Sequence, residues 1–306
     1  MADFRTLLEL FDAIPDEDAA IAHFTAVRWK DGSFCPHCGG TKVYTFADKK
    51  THKCAACGSR FSIKVGTIFE DSKVPLRKWL AAIWLLTSHK KGVASTTLAR
   101  DIGVTQKTAW FMLHRLREAA ATKSFNGPLG GAETAVEIDE TFVGGKEKNK
   151  HASKRKGGTQ GGKGKAVVFG MLERDGELRV MVVPDRKAAT VQGIIGQHVK
   201  EGSIVITDEF TGFAGLSKRY SHHTVNHAKG ENVRRYTIHT NSIEGGWSLL
   251  KRQIVGIRRF VSDKHLGRYV AEATWRYNRR TVAEDSRLNS LIAGSQGRLT
   301  YKALIA

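Results

Sequence analysis

Four cysteines stand as two matched pairs, Cys35-Pro-His-Cys38 and Cys54-Ala-Ala-Cys57, with 15 residues between the pairs. Two such knuckles at that separation suit four thiolates around a tetrahedral Zn²⁺, each short knuckle giving two sulfurs to one side of the ion. Gly39, Gly40 and Gly58 follow the knuckles and allow tight turns. Two disulfides are the competing reading, which an oxidising compartment would favour. His37 and His52 lie nearby and are read as neighbours, since four sulfurs complete the shell. A second chemistry is carried by acids. Asp139 sits in the alternating run Val136-Glu-Ile-Asp-Glu-Thr-Phe-Val143, and Asp208 directly follows the apolar run Ser203-Ile-Val-Ile-Thr207. Glu244 opens a helical stretch in which Lys251 lies seven residues on, two turns along the same face. Two carboxylates at one spot repel each other and favour a divalent cation, and oxygen donors select Mg²⁺, with Mn²⁺ as a substitute.

These residues need elements to hold them. Residues 1–26 read as a short helical segment, with Phe4, Leu7, Leu8 and Phe11 at helical spacing. The zinc ribbon is expected over 27–68. Residues 69–123 are expected to hold a helix-turn-helix: Leu98 and Ala99 on the first helix, Gly103 at the turn, Val104 packing inward and Thr105 capping the second helix. That second helix would offer Gln106, Lys107, His114 and Arg117 to a major groove. A plain helical hairpin is the competing reading. Ser124–Gly131 is turn-rich and marks a boundary.

Beyond it, strands are expected at 136–143, 166–172 and 178–183, the last two forming a hairpin around Asp175-Gly176. A helix over 187–199, a strand at 203–207, a short strand near 223–226 and helices from Asn241 onward follow. Three antiparallel strands and then helix-separated ones make a mixed sheet with helices on its faces, the element order of a ribonuclease-H-like domain. The fold class expected is therefore multidomain α+β: ribbon, helix-turn-helix, then a mixed α/β catalytic domain over 132–285 with C-terminal helices, and a tail at 286–306. In that order the strands of Asp139 and Asp208 lie side by side. Glu140 points to the opposite sheet face. Each acid also has a plain structural reading; Glu244, for one, fits the third position of a capping box on Asn241. His222, His223, His227 and His239 are read as surface or packing residues, and Trp247 as core.

The net charge is +19, from 49 Lys and Arg against 30 Asp and Glu. It argues for a polyanionic partner, nucleic acid or an acidic membrane surface. More than a third of it falls in the 22 residues Gly144–Lys165, which carry seven Lys and one Arg against one Glu. This stretch has no large apolar residue and is read as a basic loop, in which Lys154, Arg155 and Lys156 would meet DNA phosphates. No apolar run approaches the ~20 residues that span a bilayer. The first residues lack a secretory pattern. A cytoplasmic, nucleoid-associated protein is expected.

Three stretches carry a family resemblance: Val136-Glu-Ile-Asp-Glu-Thr-Phe-Val-Gly-Gly145, Ile206-Thr-Asp-Glu-Phe210 and His239-Thr-Asn-Ser-Ile-Glu-Gly-Gly-Trp-Ser-Leu-Leu-Lys-Arg252. With Lys264, Arg268 and Trp275-Arg-Tyr-Asn278, the chain resembles bacterial insertion-sequence transposases of the DDE type, the IS1595 family with an ISXO2-like catalytic domain. The resemblance implies that terminal inverted repeats are bound and that DNA strands are cleaved and transferred into target DNA in a Mg²⁺-dependent, two-metal reaction. It makes Asp139, Asp208 and Glu244 metal ligands and, with Lys251 as a phosphate contact, the catalytic residues; Arg252 beside Lys251 is expected to bind DNA. Asn241 is the alternative third position. Double-stranded DNA and a second copy of the chain, in a homodimer or higher oligomer, are the expected partners; no membrane is. A non-catalytic DNA-binding regulator and a purely hydrolytic nuclease are the other function classes.

Overall fold

The computed structural model describes residues 4–121, 125, 127–131, 133–145, 151, 153, 162, 164–226 and 237–306. The chain forms two compact units, residues 1–123 with 279–306, and residues 124–278.

The first unit begins with two capped helices. In α1 (Leu7–Ala13), Thr6 and Glu9 form a reciprocal capping box, and Asp16 accepts from Ala19 N–H to open α2 (Glu17–Arg28). Strands β1 (Val43–Thr45), β2 (Thr51–Cys54) and β3 (Arg60–Ser62) form an antiparallel sheet in chain order. Helix α3 (Leu76–Ser88) is apolar around much of its circumference, burying Trp79, Leu80, Ile83, Trp84 and Leu86. Helices α4 (Ser95–Ile102) and α5 (Gln106–Ala121) are joined through Gly103, whose φ of +61° is a left-handed conformation suited to glycine.

The segment 286–306, expected as a tail, is folded. Helix α9 (Glu284–Ala293) buries Leu288, Leu291 and Ile292 against α2 and α3, and α10 (Tyr301–Ile305) buries Leu304. Ile68 N–H donates to Ser295 at 2.9 Å and Gly297 N–H to Gly66 at 3.1 Å. The physical reason is that α3 exposes more apolar surface than α2, α4 and α5 cover, and the chain end supplies the missing face.

The second unit is built on a five-stranded sheet in the order β6-β5-β4-β7-β8: β4 (Ala135–Val143), β5 (Ala166–Glu173), β6 (Leu178–Val183), β7 (Ile204–Asp208) and β8 (Ser221–Val225). The first three are antiparallel; β7 and β8 run parallel to β4 and to each other. Asp175 takes the left-handed conformation, φ +56°, in the β5–β6 turn. One sheet face packs Val136, Ile138, Phe169 and Met171 against Val191 and Ile195 of α6 (Ala188–His198) and Phe213. The other packs Val168 and Leu172 against α7 (Asn241–Arg252) and α8 (Asp263–Asn278), through Ile243, Trp247, Leu250 and Tyr269. A wide helical turn, Gln253–Arg258, continues α7. Among the described residues no helix is long and apolar enough to cross a membrane.

Candidate active site and metal centre

The cysteine cluster is assembled by two knuckles of the same local geometry. Gly39 N–H donates to Cys35 C=O at 2.9 Å, and Gly58 N–H to Cys54 C=O at 3.1 Å. Both glycines adopt positive φ, +76° and +71°, which lets the chain turn back beneath each cysteine pair. The four Sγ atoms lie within 4.8 Å of one another. Sulfur pairs across the knuckles are 3.7 Å (Cys35–Cys57) and 3.6 Å (Cys38–Cys54) apart. Zn–S bonds of ~2.3 Å in a tetrahedron require sulfurs ~3.8 Å apart, so the donor set and its spacing fit Zn²⁺. None of the four is in a disulfide. His52 is buried 4.7 Å from the Trp29 ring, with Nδ1 3.1 Å from Thr45 Oγ1, which places it in the packing beneath the site.

The acids gather at the second unit's sheet. The parallel β4–β7 register runs from Ala135 opposite Ile204 to Glu137 opposite Ile206, so Asp139 and Asp208 each lie two residues past the last pair, at one level of adjacent strands. Asp139 Oδ1 accepts from Glu140 N–H at 2.8 Å, and Oδ2 accepts from Trp247 Nε1 at 2.8 Å. Its carboxyl is pushed up to about 6, first by burial and then by the negative charges of Asp208 and Glu244; the Trp247 bond works the other way. Asp208 Oδ1 accepts from Phe210 N–H at 3.0 Å. Glu244 is exposed near the start of α7 and accepts from Thr240 Oγ1 at 3.1 Å. The three acids are therefore electrostatically coupled at one end of the sheet, although among the described residues only the cysteines close to within 4.8 Å as a possible metal cluster. Lys251 and Arg252 are exposed at the far end of α7, where Arg252 donates to Ser248 Oγ at 2.7 Å.

Two further acids lie on the same strand, Glu137, which the motifs do not single out, and Glu140, expected on the opposite face. Glu137 is fully buried. Its Oε2 accepts from Ser242 N–H and Ile243 N–H, both at 3.0 Å, so a strand residue caps the helix that carries Glu244. Its Oε1 pairs with Arg174 at 2.8 Å, and Arg174 in turn donates to the carbonyls of Thr237 (2.5 Å) and His239 (3.0 Å). The competing reading of Glu244, a capping box on Asn241, is not what forms: Glu137 accepts the first N–H groups of α7, with Thr240 at the N-cap position. Glu140 lies on the other face, 3.1 Å from Arg186. Burial and Asp208 push its carboxyl up to about 7. The signal for Glu137 was its even spacing from Asp139 on one strand face. Its partners come from remote segments that the local pattern does not reveal.

Of the residues expected to face DNA, Gln106 and Lys107 are exposed at the start of α5, whereas His114 and Arg117 are fully buried. Helix α5 is packed on several sides, by α3 and α4 and, near its end, by α9, where Gly294 lies against the Ala119 carbonyl, so its later turns leave little surface free. Lys154, Arg155 and Lys156 lie outside the described residues, as does His227. His222 Nε2 is 2.9 Å from Thr207 Oγ1, and Trp247 is core, as expected, but with its indole N–H turned to Asp139.

Residues 128–278 match the model of the ISXO2-like transposase domain, and residues 15–60 match that of the transposase zinc-ribbon domain. The chain belongs to the IS1595 transposase family. An uncharacterized protein in the transposable element ISH50 of Halobacterium salinarum is 27% identical over 252 residues, covering 78% of this chain and 83% of that protein. An uncharacterized transposase-like protein of Haemophilus influenzae is 32% identical over 119 residues, 38% of this chain and 93% of its own length. A chain of a pre-cleavage Mos1 transpososome aligns over 76% of this chain and 82% of its own at 12% identity, with a TM-score of 0.23, too distant to bear on the fold. Within this IS1595-family transposase, the ribbon match overlaps the cysteine cluster and the transposase-domain match spans β4 to α8.

Proposed function

We propose that this insertion-sequence transposase binds the terminal inverted repeats of its element and cleaves and joins DNA strands in a Mg²⁺-dependent reaction. The observation that carries the reading is the β4–β7 register: it levels Asp139 with Asp208, while Glu137 fixes the helix bearing Glu244 above the same strand. The set is all oxygen, as Mg²⁺ requires, and Asp139 is half-buried without a basic side chain bonded to it among the described residues, which leaves negative charge for a cation to compensate. Asp139, Asp208 and Glu244 are the residues that would hold it. Such an ion, when bound, activates an attacking oxygen and stabilises a leaving one. This chain's part is to fix the carboxylates, keep Asp139 oriented through Trp247, and present Lys251 and Arg252 to phosphate.

The sheet order supports a ribonuclease-H-like reading of residues 132–285, and the α4–Gly103–α5 geometry supports a helix-turn-helix within 69–123. The ribbon over 27–68, Gln106 and Lys107 then form the end-binding surface, and the basic stretch 144–165 adds backbone contacts. Two ends must be joined, so a dimer or larger assembly performs the reaction. The test is incubation of zinc-loaded protein with labelled element ends, a target plasmid and Mg²⁺. Joined product from wild type and none from Asp139→Asn is expected. Cleaved but never joined ends would make the protein a nuclease, and binding without cleavage a regulator.

A further inference from the structure

The first unit holds a cavity of about 560 Å³ between the Ser72–Pro75 turn, α3, the start of α5 and Tyr301. Its volume falls in the range of small-molecule sites, several times what a bare phosphate needs. Two kinds of wall meet there. Val74, Pro75, Trp79, Val104 and Met112 make an apolar floor. Lys73, Lys78, Lys107 and Arg115 supply cations. The one acid in the lining, Asp71, is paired with Arg298, and its charge and that of Glu70 reach Arg115 without a hydrogen bond to it.

Arg115 is the decisive residue. It is 6% exposed. Its Nε donates to Leu299 C=O at 3.1 Å and its guanidinium lies 4.4 Å from the Phe111 ring centre. Among the described residues no group accepts from its two terminal nitrogens, and neither is fully enclosed, so the guanidinium keeps open donors beside the cavity that Arg115 lines. A buried cation with open donors costs stability unless an anion completes it. Lys107 Nζ lies 4.9 Å over the Tyr301 ring centre beside it, so a planar guanidinium and an ammonium, each against an aromatic ring, border the opening.

We propose that this cavity binds one unstacked nucleotide of a DNA strand, its base on the apolar floor and its phosphate on Arg115, Lys78 and Lys107. A flat apolar body joined to a negative charge is what these walls complement, and base stacking on such platforms tolerates any sequence. The inference rests on the reading that DNA is the partner. It adds that one nucleotide leaves the stack at the start of α5. A free nucleoside monophosphate carries the same chemistry and is the alternative source.

The experiment uses full-length zinc-loaded protein and three probes: a fully paired duplex, the same duplex with one bulged 2-aminopurine, and 2-aminopurine deoxyriboside monophosphate. Wild type should bind the bulged duplex about tenfold more tightly than the paired one, with a change in 2-aminopurine fluorescence. Arg115→Gln and the cavity-filling Val74→Trp should both remove that preference while keeping paired-duplex affinity; Val74→Trp, on a turn, covers the case in which the buried substitution fails to fold. Saturable binding of the monophosphate with no bulge preference, lost in both variants, would assign the site to free nucleotides. Equal bulge preference in wild type and Val74→Trp, or no preference and no monophosphate binding, would overturn the proposal. Failure to bind any duplex would instead overturn the DNA reading itself.

Discussion

Trp247 Nε1 donates a 2.8 Å hydrogen bond to Asp139 Oδ2, tying the middle of α7 to the acid on β4. If Asp139 holds Mg²⁺ as proposed, a partner that orients its carboxylate is worth about 10–100-fold in metal affinity or activity. Trp247→Phe keeps most of the ring in the core and removes the donor. Strand joining should fall by about that factor, with the Mg²⁺ concentration for half-maximal rate rising in step. The check is a Mg²⁺ titration of the joining assay; unchanged half-saturation would show that the bond only packs the ring.

The approach of Trp247 is permitted by a residue with no side chain. Gly170 pairs with Asp139 across β4 and β5, and a Cβ there would lie 2.4 Å from Trp247 Cη2. Gly170→Ala must therefore push the indole away. A loss of about 1–3 kcal/mol in unfolding free energy is expected, as for other overpacked cores. The Asp139 bond should weaken with it, so joining falls alongside stability. Denaturant titration and the joining assay together test this.

Glu137 offers a sharper contrast between charge and shape. It is buried, pairs with Arg174, and accepts two N–H groups at the start of α7. Glu137→Gln keeps the volume but leaves Arg174 without its counter-charge, and breaking a buried pair this way costs about 3–5 kcal/mol. Arg174→Met, which leaves the anion still capped by two N–H donors, should cost less. Denaturant unfolding of both variants measures the difference; equal costs would remove the helix cap from the explanation.

Much of this was legible in sequence where pattern and element coincide. The knuckles, the Asp175 turn, the alternation of β4 and the apolar run of β7 are local signals, and each element formed within a residue or two of its expected bounds. What was not legible depends on remote packing. The period of α5 marks His114 and Arg117 as polar positions on a helix, and nothing local says that they are buried or that residues 279–306 return to the same unit. The same holds for Glu137: its value as a cap exists only once β4 and α7, over a hundred residues apart, are brought together.

The ribbon gives a stoichiometric prediction. Four sulfurs at tetrahedral spacing should hold one Zn²⁺ per chain. Metal analysis of purified protein should return that ratio, and Cys38→Ser or Cys57→Ser should lose the ion and unfold the three-stranded sheet, since such small sheets depend on their metal. Retention of zinc by both variants would remove the thiolate shell.

The returning chain end also carries a pH dependence. His23 Nε2 on α2 is 2.8 Å from Asn289 Oδ1 on α9, and burial lowers the His23 pKa below its ordinary value of 6.5, the Asn289 bond only partly opposing it. The folded protein thus binds this proton less readily than the unfolded chain. The contribution is fully present above pH about 6.5 and is lost as pH falls toward the folded value. His52, also lowered by burial, has the same sign in this unit. Melting temperature should therefore drop as pH is lowered from 7 to 5, and His23→Gln, which cannot take up the proton, should show a shallower drop. A variant slope equal to that of wild type would show that His23 does not couple α9 to acid.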